Sequence, residues 1–222
     1  MINTKDKLLS LYVHWPYCEA KCPYCDFNSH VNEVVDQNQW IKSYKNQLYF
    51  MKEELIRHNI EFKSLNTVFF GGGTPSLMPL GIIKNILEIS NNIFGFDKNI
   101  EITLEANPSS YDRTRFTKLK DIGINRLSIG VQSLNNKHLK FLGRQHDTTD
   151  VNIAVREASN IFENISVDII YAFYDQDLTE WTNELKTFLK TYNLQHLSLY
   201  QLTIEEGTKF FKDYNNNVLK LI

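Results

Sequence analysis

Hydrophobic periodicity switches back and forth along this chain, and that alternation constrains its fold more than any other feature. Six short stretches are rich in residues that favour strands: Leu9 to Val13, Leu65 to Phe70, Glu101 to Pro108, Arg126 to Gln132, Ile165 to Ile170 and His196 to Leu202. Between them, apolar residues recur every three or four positions, as on one face of a helix. Trp40, Tyr44, Leu48, Met51 and Leu55 form the first such stripe, and Ile83, Ile86 and Leu87 the second. Phe116, Leu119 and Ile122 follow, closed by Gly123. After a short helical piece from Asn135 to Leu142 come Val151, Ala154, Val155, Ala158 and Ile161, then Trp181, Leu185 and Phe188. Strand and helix in alternation imply an α/β protein with a parallel sheet and right-handed crossovers. The sheet is either open and doubly wound or a partial barrel. In both, ligands gather at the C-terminal ends of the strands.

Polar residues collect at those ends. Glu105, Gln132, Asp168 and Gln201 lie at or near the ends of the third to sixth strands, and Gly71-Gly72-Gly73-Thr74-Pro75 follows the second. Taken singly each is ordinary: Glu105 reads as a solvated strand end, Asp168 as a helix cap or a buried partner of Arg126, and the glycines as a turn. The glycine run matches neither the P-loop nor the G-x-G-x-x-G pattern. Together, the residues outline one cleft.

The first strand runs directly into the cleft's chemical centre. All three cysteines, Cys18, Cys22 and Cys25, fall within eight positions of the 222-residue chain, spaced C-x3-C-x2-C. A shared ligand explains that clustering better than three separate core thiols. The loop supplies three thiolates to a [4Fe–4S] cluster and leaves one iron open to a cofactor or substrate. Two alternatives stand beside it: a Cys3His zinc site using His14 or His30, and three structural cysteines. No second ligand pair follows, which structural zinc loops normally provide.

Composition narrows the partners. Lys and Arg total 24 against 26 Asp and Glu, so no charge excess points to nucleic acid. No stretch is long and apolar enough to span a bilayer, and the N-terminus lacks a signal-peptide pattern. A cytoplasmic, reducing location is expected, which suits free thiols.

In the run Tyr12-Val-His-Trp-Pro-Tyr-Cys18 leading to Cys22-Pro-Tyr-Cys-Asp-Phe-Asn28, the sequence resembles the radical S-adenosylmethionine superfamily. Within it the chain is similar to the group holding oxygen-independent coproporphyrinogen III oxidases and HemW-type haem chaperones. The resemblance continues through Phe70-Gly-Gly-Gly-Thr-Pro-Ser76, Leu104-Glu-Ala-Asn-Pro108, Asn125 to Ser133, Leu142-Gly-Arg144 and His196 to Thr203. It implies a partial (βα)6 barrel of parallel strands, with a radical S-adenosylmethionine core over residues 1–204. Residues 205–222 are then a helical tail, without the rest of the family's C-terminal domain. The apolar end, Leu219 to Ile222, is expected to mark a boundary.

The resemblance also implies a [4Fe–4S] cluster on Cys18, Cys22 and Cys25, with the open iron chelated by S-adenosylmethionine. By matching motif, Tyr12 stands beside the sulfonium, the backbone near Tyr24 meets the adenine, and Gly72, Gly73 and Thr74 line the methionine end. Glu105 receives the ammonium, Arg144 pairs the carboxylate, and Gln132 and Asp168 match ribose-contacting positions. These roles suit the groups' donor and acceptor chemistry. His14 matches a position near the cluster. The oxidases carry a further cysteine two positions past the third, where this chain has Phe27, so the resemblance favours a haem chaperone of HemW type. An oxygen-independent coproporphyrinogen oxidase and an inactive or zinc-binding relative are the alternatives. Haem or a porphyrinogen, an electron donor and haem-recipient proteins are the implied partners. One departure stands out: Ala172-Phe-Tyr-Asp-Gln-Asp177 replaces the family's Gly-Leu-Pro-Gly-Gln-Thr and is expected to alter the adenosyl side of the pocket.

Overall fold

A computed structural model describes residues 7–31, 34–192 and 194–219. Its centre is a sheet of six parallel strands: β1 (Leu8–Trp15), β4 (Ser64–Gly72), β5 (Phe96–Ala106), β6 (Arg126–Gln132), β7 (Asn164–Tyr171) and β8 (His196–Gln201). The strands lie side by side in chain order. A doubly wound sheet reverses direction at a switch point; this one never does, so right-handed crossovers place every connection on the same face. The architecture is a singly wound, partial barrel, open between β1 and β8. The crossover helices are α1 (Gln37–Arg57), α2 (Leu80–Phe94), α3 (Arg113–Asp121), α4 (Asn136–Phe141) with α5 (Thr148–Ile161), and α6 (Leu178–Thr191). A last helix, α7 (Lys209–Asn215), follows the sixth strand.

Side chains alternate between the two faces of each strand. On β1, Leu11, Val13 and Trp15 are buried while Tyr12 and His14 are not. Leu127, Ile129 and Val131 on β6, and Ile165, Val167 and Ile169 on β7, continue the same buried layer with Phe70 and Leu104. Each such side chain contributes roughly 1.5–3 kcal/mol by leaving water. The opposite set, including Glu105, Ser128, Asp168 and Tyr200, lines the inside of the barrel. The interior is polar because it borders a cavity, and the core lies between strands and helices.

Two elements differ from the sequence reading. β5 begins at Phe96, five residues earlier than expected, and stops at Ala106, because Pro108 opens a 3-10 turn through Ser110. A two-residue parallel ladder, β2 (Tyr17–Cys18) with β3 (His30–Val31), closes the base of the cysteine loop. In the tail, Phe210 of α7 packs with Leu142, Ile170, Phe173 and Leu202 in a second small core, against which Tyr24 also rests. Lys220 to Ile222, in the expected apolar end, lie outside the described residues.

Candidate functional site

At the C-terminal ends of the strands lies a cavity of about 350 Å3. The three cysteines, all free thiols, line it together with Tyr24, Gly72, Gly73, Thr74, Glu105, Gln132, Arg144 and Asp168. Gln201 lines it as well, whereas Tyr12, His14 and His30, also singled out from sequence, are not part of that wall. Tyr12 stands on the rim, about half exposed, its ring stacked on Phe69 and its hydroxyl donating to His14 Nδ1 at 3.1 Å. His14 Nε2 in turn donates to the carbonyl of Asn28 at 2.9 Å. Both nitrogens of His14 are therefore engaged, and its ring ties β1 to the end of the cysteine loop.

The thiols face one cavity, yet among the described residues no three Cys, His, Asp or Glu side chains converge on a single ion-sized point. A tetrahedral zinc needs its sulfurs about 2.3 Å from one centre. Thiolates that each take a different iron of a cluster stand apart. Burial pushes the Cys25 thiol up from its ordinary pKa, more than the nearby Phe27 amide lowers it, and a bound cationic centre reverses that preference. The donor set and cavity fit a polynuclear iron–sulfur group.

Several contacts hold the cysteine loop in place. Gly73 donates its amide to the carbonyl of Trp15 at 2.7 Å and Thr74 to that of Tyr17 at 2.8 Å. A Cβ on Gly73 would sit 2.7 Å from the Tyr17 carbonyl oxygen and 3.0 Å from Cys18 Sγ, so only glycine allows this approach. On the far side, Gly143 has φ +66°, and a Cβ there would meet Pro23 at 2.7 Å. Phe210 donates its amide to the Pro23 carbonyl at 2.9 Å.

Arg144 follows Gly143 and is partly buried. Its guanidinium donates to Cys22 Sγ and to the Tyr24 hydroxyl, each at 3.5 Å, to Asn107 Oδ1 at 2.6 Å and to the Gly130 carbonyl at 2.9 Å. Burial opposes its charge, but Tyr24 and Cys22 together hold its pKa above the usual value. The same burial drives the Tyr24 hydroxyl's pKa far up. Arg144 thus joins the cysteine loop to the ends of β5 and β6. Asn107 is the joint: its amide also donates to Thr74 Oγ1 at 3.4 Å. The sequence reading quoted Asn107 within a motif without giving it a role, because nothing local signals a hydrogen bond to a residue 37 positions away.

Of the carboxylates that line the cavity, Glu105 and Asp168 come from β5 and β7. Glu105 accepts from the Gly72 amide at 3.2 Å, yet burial, helped by the charge of Asp168, raises its pKa from 4.5 to about 7. Asp168 is also raised by burial, against hydrogen bonds from Ser198 and Ser128. It is not a direct partner of Arg126: Arg126 donates to Ser166 at 2.8 Å, Ser166 to Ser128 at 3.0 Å, and Ser128 to the Asp168 carboxylate at 3.3 and 3.4 Å. That chain of hydroxyls orients Asp168 towards the cavity. Gln132 ends β6 with φ +71°, just past a break in register with β7. Ser128, Tyr200, Thr203 and Glu205 also line the wall, and the sequence reading gave none of them a role.

The departing turn is accommodated away from the cavity. None of Ala172 to Asp177 lines it. Phe173 is buried and stacks on His138 at 4.1 Å. Ala172 adopts φ +66°, and its amide donates to Gln176 Oε1 at 2.8 Å. Gln176 therefore keeps the turn closed without the family's glycine and proline.

A family model described as the Radical SAM superfamily matches residues 12–187. The chain is 39% identical over 204 residues to the heme chaperone HemW of Buchnera aphidicola subsp. Acyrthosiphon pisum, covering 91% of this chain and 53% of that protein. It is 37% identical over 233 residues to the mitochondrial radical S-adenosyl methionine domain-containing protein 1 of Dictyostelium discoideum, covering 98% and 52% respectively. The chain thus spans about half the length of these curated relatives. Among solved structures, Escherichia coli coproporphyrinogen III oxidase (HemN) aligns with a TM-score of 0.72 at 26% identity, over 90% of this chain and 45% of its own. Elp3 of Methanocaldococcus infernus aligns at 0.69 with 14% identity, over 98% and 51%, a likeness of fold alone. Among the described residues no helix is long and apolar enough to cross a membrane.

Proposed function

This chain belongs to the radical SAM superfamily, and we propose that Cys18, Cys22 and Cys25 hold a [4Fe–4S] cluster whose open iron takes S-adenosylmethionine. One observation supports this above all: three thiols, the Arg144 guanidinium and the carboxylates of Glu105 and Asp168, brought in by four separate segments, face one cavity. When bound, the cluster supplies one electron to cleave the cofactor's sulfonium. The chain's own residues bind and orient. Glu105 receives the ammonium, whose charge offsets the burial that otherwise keeps this carboxyl near half-protonated at neutral pH. Arg144 meets the carboxylate; its two 3.5 Å contacts, to Cys22 and Tyr24, are the ones that yield. Asp168, held by Ser128, and Gln132 accept from the ribose hydroxyls. Gly72, Gly73 and Thr74 line the methionine end, the backbone at Tyr24 meets the adenine, and Tyr12 closes the rim beside the sulfonium.

In this reading the protein is a haem chaperone of HemW type, binding haem and passing it to recipient proteins, with an electron donor serving the cluster. Phe27 at the position where the oxidases have cysteine, and the relatives named HemW, support it. The fold likeness to HemN supports a second reading, oxidation of coproporphyrinogen III. The thiols require a reducing compartment, which the cytoplasm provides. Anaerobic reconstitution with iron and sulfide, followed by electron paramagnetic resonance of the reduced protein, tests the site. A [4Fe–4S]+ signal that changes on adding S-adenosylmethionine is expected; a colourless protein, or one loaded with zinc, sinks the proposal. Haem titration and an anaerobic assay for protoporphyrinogen then separate chaperone from oxidase.

A further inference from the structure

The cysteine loop has a second exposed side. Behind it, away from the barrel interior, runs an open groove of about 770 Å3 between the loop, α4 and α7. Cys22 and Cys25 border both this groove and the inner cavity, whereas Cys18 borders only the cavity. Cys22 and Cys25 therefore border the outer side of the loop as well as its inner side. The groove's apolar floor includes Phe141 and Phe210, whose rings lie 4.9 Å apart. Lys21, Lys140 and Lys209 edge it, against a single lining aspartate, Asp213, which Lys209 already pairs. This is a basic patch on a chain of net charge −2.

Resting on the cluster proposed above, we propose that this groove seats an acidic one-electron carrier protein that reduces the cluster. With the cavity filled by its cofactor, the groove is the side from which Cys22 and Cys25 remain approachable. In the step, the carrier loses one electron and the cluster passes from its 2+ to its 1+ state, with no bond or proton exchanged. Lysines around a small apolar floor suit a transient electron-transfer encounter, which buries little area and is guided by charge. A tetrapyrrole is the less suitable occupant, because no histidine lines the groove among the described residues to ligate its iron. Lys21 donates to the carbonyls of Phe27 and Ser29 and so also braces the loop; Lys140 is exposed at the groove's edge, and Lys209 stands there beside its partner Asp213.

The test uses anaerobically reconstituted protein and reduced flavodoxin as the acidic carrier, following bleaching of the cluster's visible absorbance. The double variant Lys140→Glu, Lys209→Glu is expected to slow reduction tenfold or more at low salt and to flatten its ionic-strength dependence. Lys45→Glu, on α1 and outside the groove's lining, is expected to leave the rate unchanged, and dithionite is expected to reduce all forms alike. The milder pair Lys140→Gln, Lys209→Gln guards against misfolding and is expected to fall between. Equal flavodoxin rates in wild type and double variant overturn the proposal, as does a wild type that dithionite reduces but flavodoxin does not. So does a haemin Soret band that the double variant abolishes while its reduction stays normal, which assigns the groove to a tetrapyrrole. A protein that forms no cluster overturns instead the reading on which this one rests.

Discussion

Replacing Glu105 by glutamine is expected to stabilise the protein while weakening its hold on the cofactor. The carboxyl is raised from 4.5 to about 7, chiefly by burial. The groups facing it are the Gly72 amide from β4, Asp168 from β7, and the hydroxyls of Tyr12 and Tyr200 from β1 and β8. The folded state binds this proton more tightly than the unfolded state. Stability from this group is thus intact below pH 4.5, declines as pH rises, and is lost above pH 7. At about 1.4 kcal/mol per pH unit the full penalty is about 3 kcal/mol. Glutamine keeps an acceptor for the Gly72 amide and carries no charge to bury. Thermal or denaturant unfolding of the apo-protein under reductant is expected to show little difference between variant and wild type near pH 4.5. By pH 8 the variant gains up to about 3 kcal/mol, roughly 6–12 °C for a chain of this size. Its affinity for S-adenosylmethionine falls about 10- to 100-fold with the loss of a charged hydrogen bond. A variant whose stability runs parallel to wild type across this range, or falls below it at pH 8, refutes the argument that burial governs Glu105.

Ala172→Gly relieves a left-handed backbone that alanine adopts at φ +66°, and a gain of about 0.5–1 kcal/mol is expected in the denaturation midpoint, the strain removed exceeding the entropy added; an unchanged or lower midpoint counts against it. Gly143→Ala sets a methyl 2.7 Å from Pro23 in a backbone of positive φ, so a loss of at least about 1–2 kcal/mol is expected, together with less iron per chain after reconstitution. Full iron loading at wild-type stability shows that the loop does not depend on this contact. Arg144→Ala is expected to weaken S-adenosylmethionine binding at least tenfold and, because the guanidinium also touches Cys22 Sγ, to alter the cluster's resonance signal before any cofactor is added. A signal identical to wild type places Arg144 outside the ligand environment of Cys22.

The elements of this fold were legible because their signals are local. A strand such as Arg126 to Gln132 and a stripe such as Trp40, Tyr44 and Leu48 declare themselves through spacing alone. The cysteine loop was equally plain, since three thiolates within eight residues need no tertiary information to suggest a shared ligand. Glu105 and Asp168 were found by position, because a parallel sheet brings the C-terminal ends of its strands together whatever their identity. Strand order was not legible: a doubly wound sheet and a singly wound barrel use the same alternation, and only the crossover directions distinguish them. Nor was the grip of Arg144 on Cys22, Asn107 and Gly130, which joins segments up to 122 residues apart.

The sequence by itself marked the residues proposed to carry the chemistry and the kind of element on which each one sits. The tertiary structure decided how they are held: it made Gly73 and Gly143 spacers for the cysteine loop and linked Asp168 to Arg126 through serines instead of by contact. It let Gln176 close a turn that lacks its glycine. Spacing and residue type act within a few positions along the chain, whereas burial, hydrogen-bond direction and the pKa of Glu105 depend on neighbours that only folding supplies.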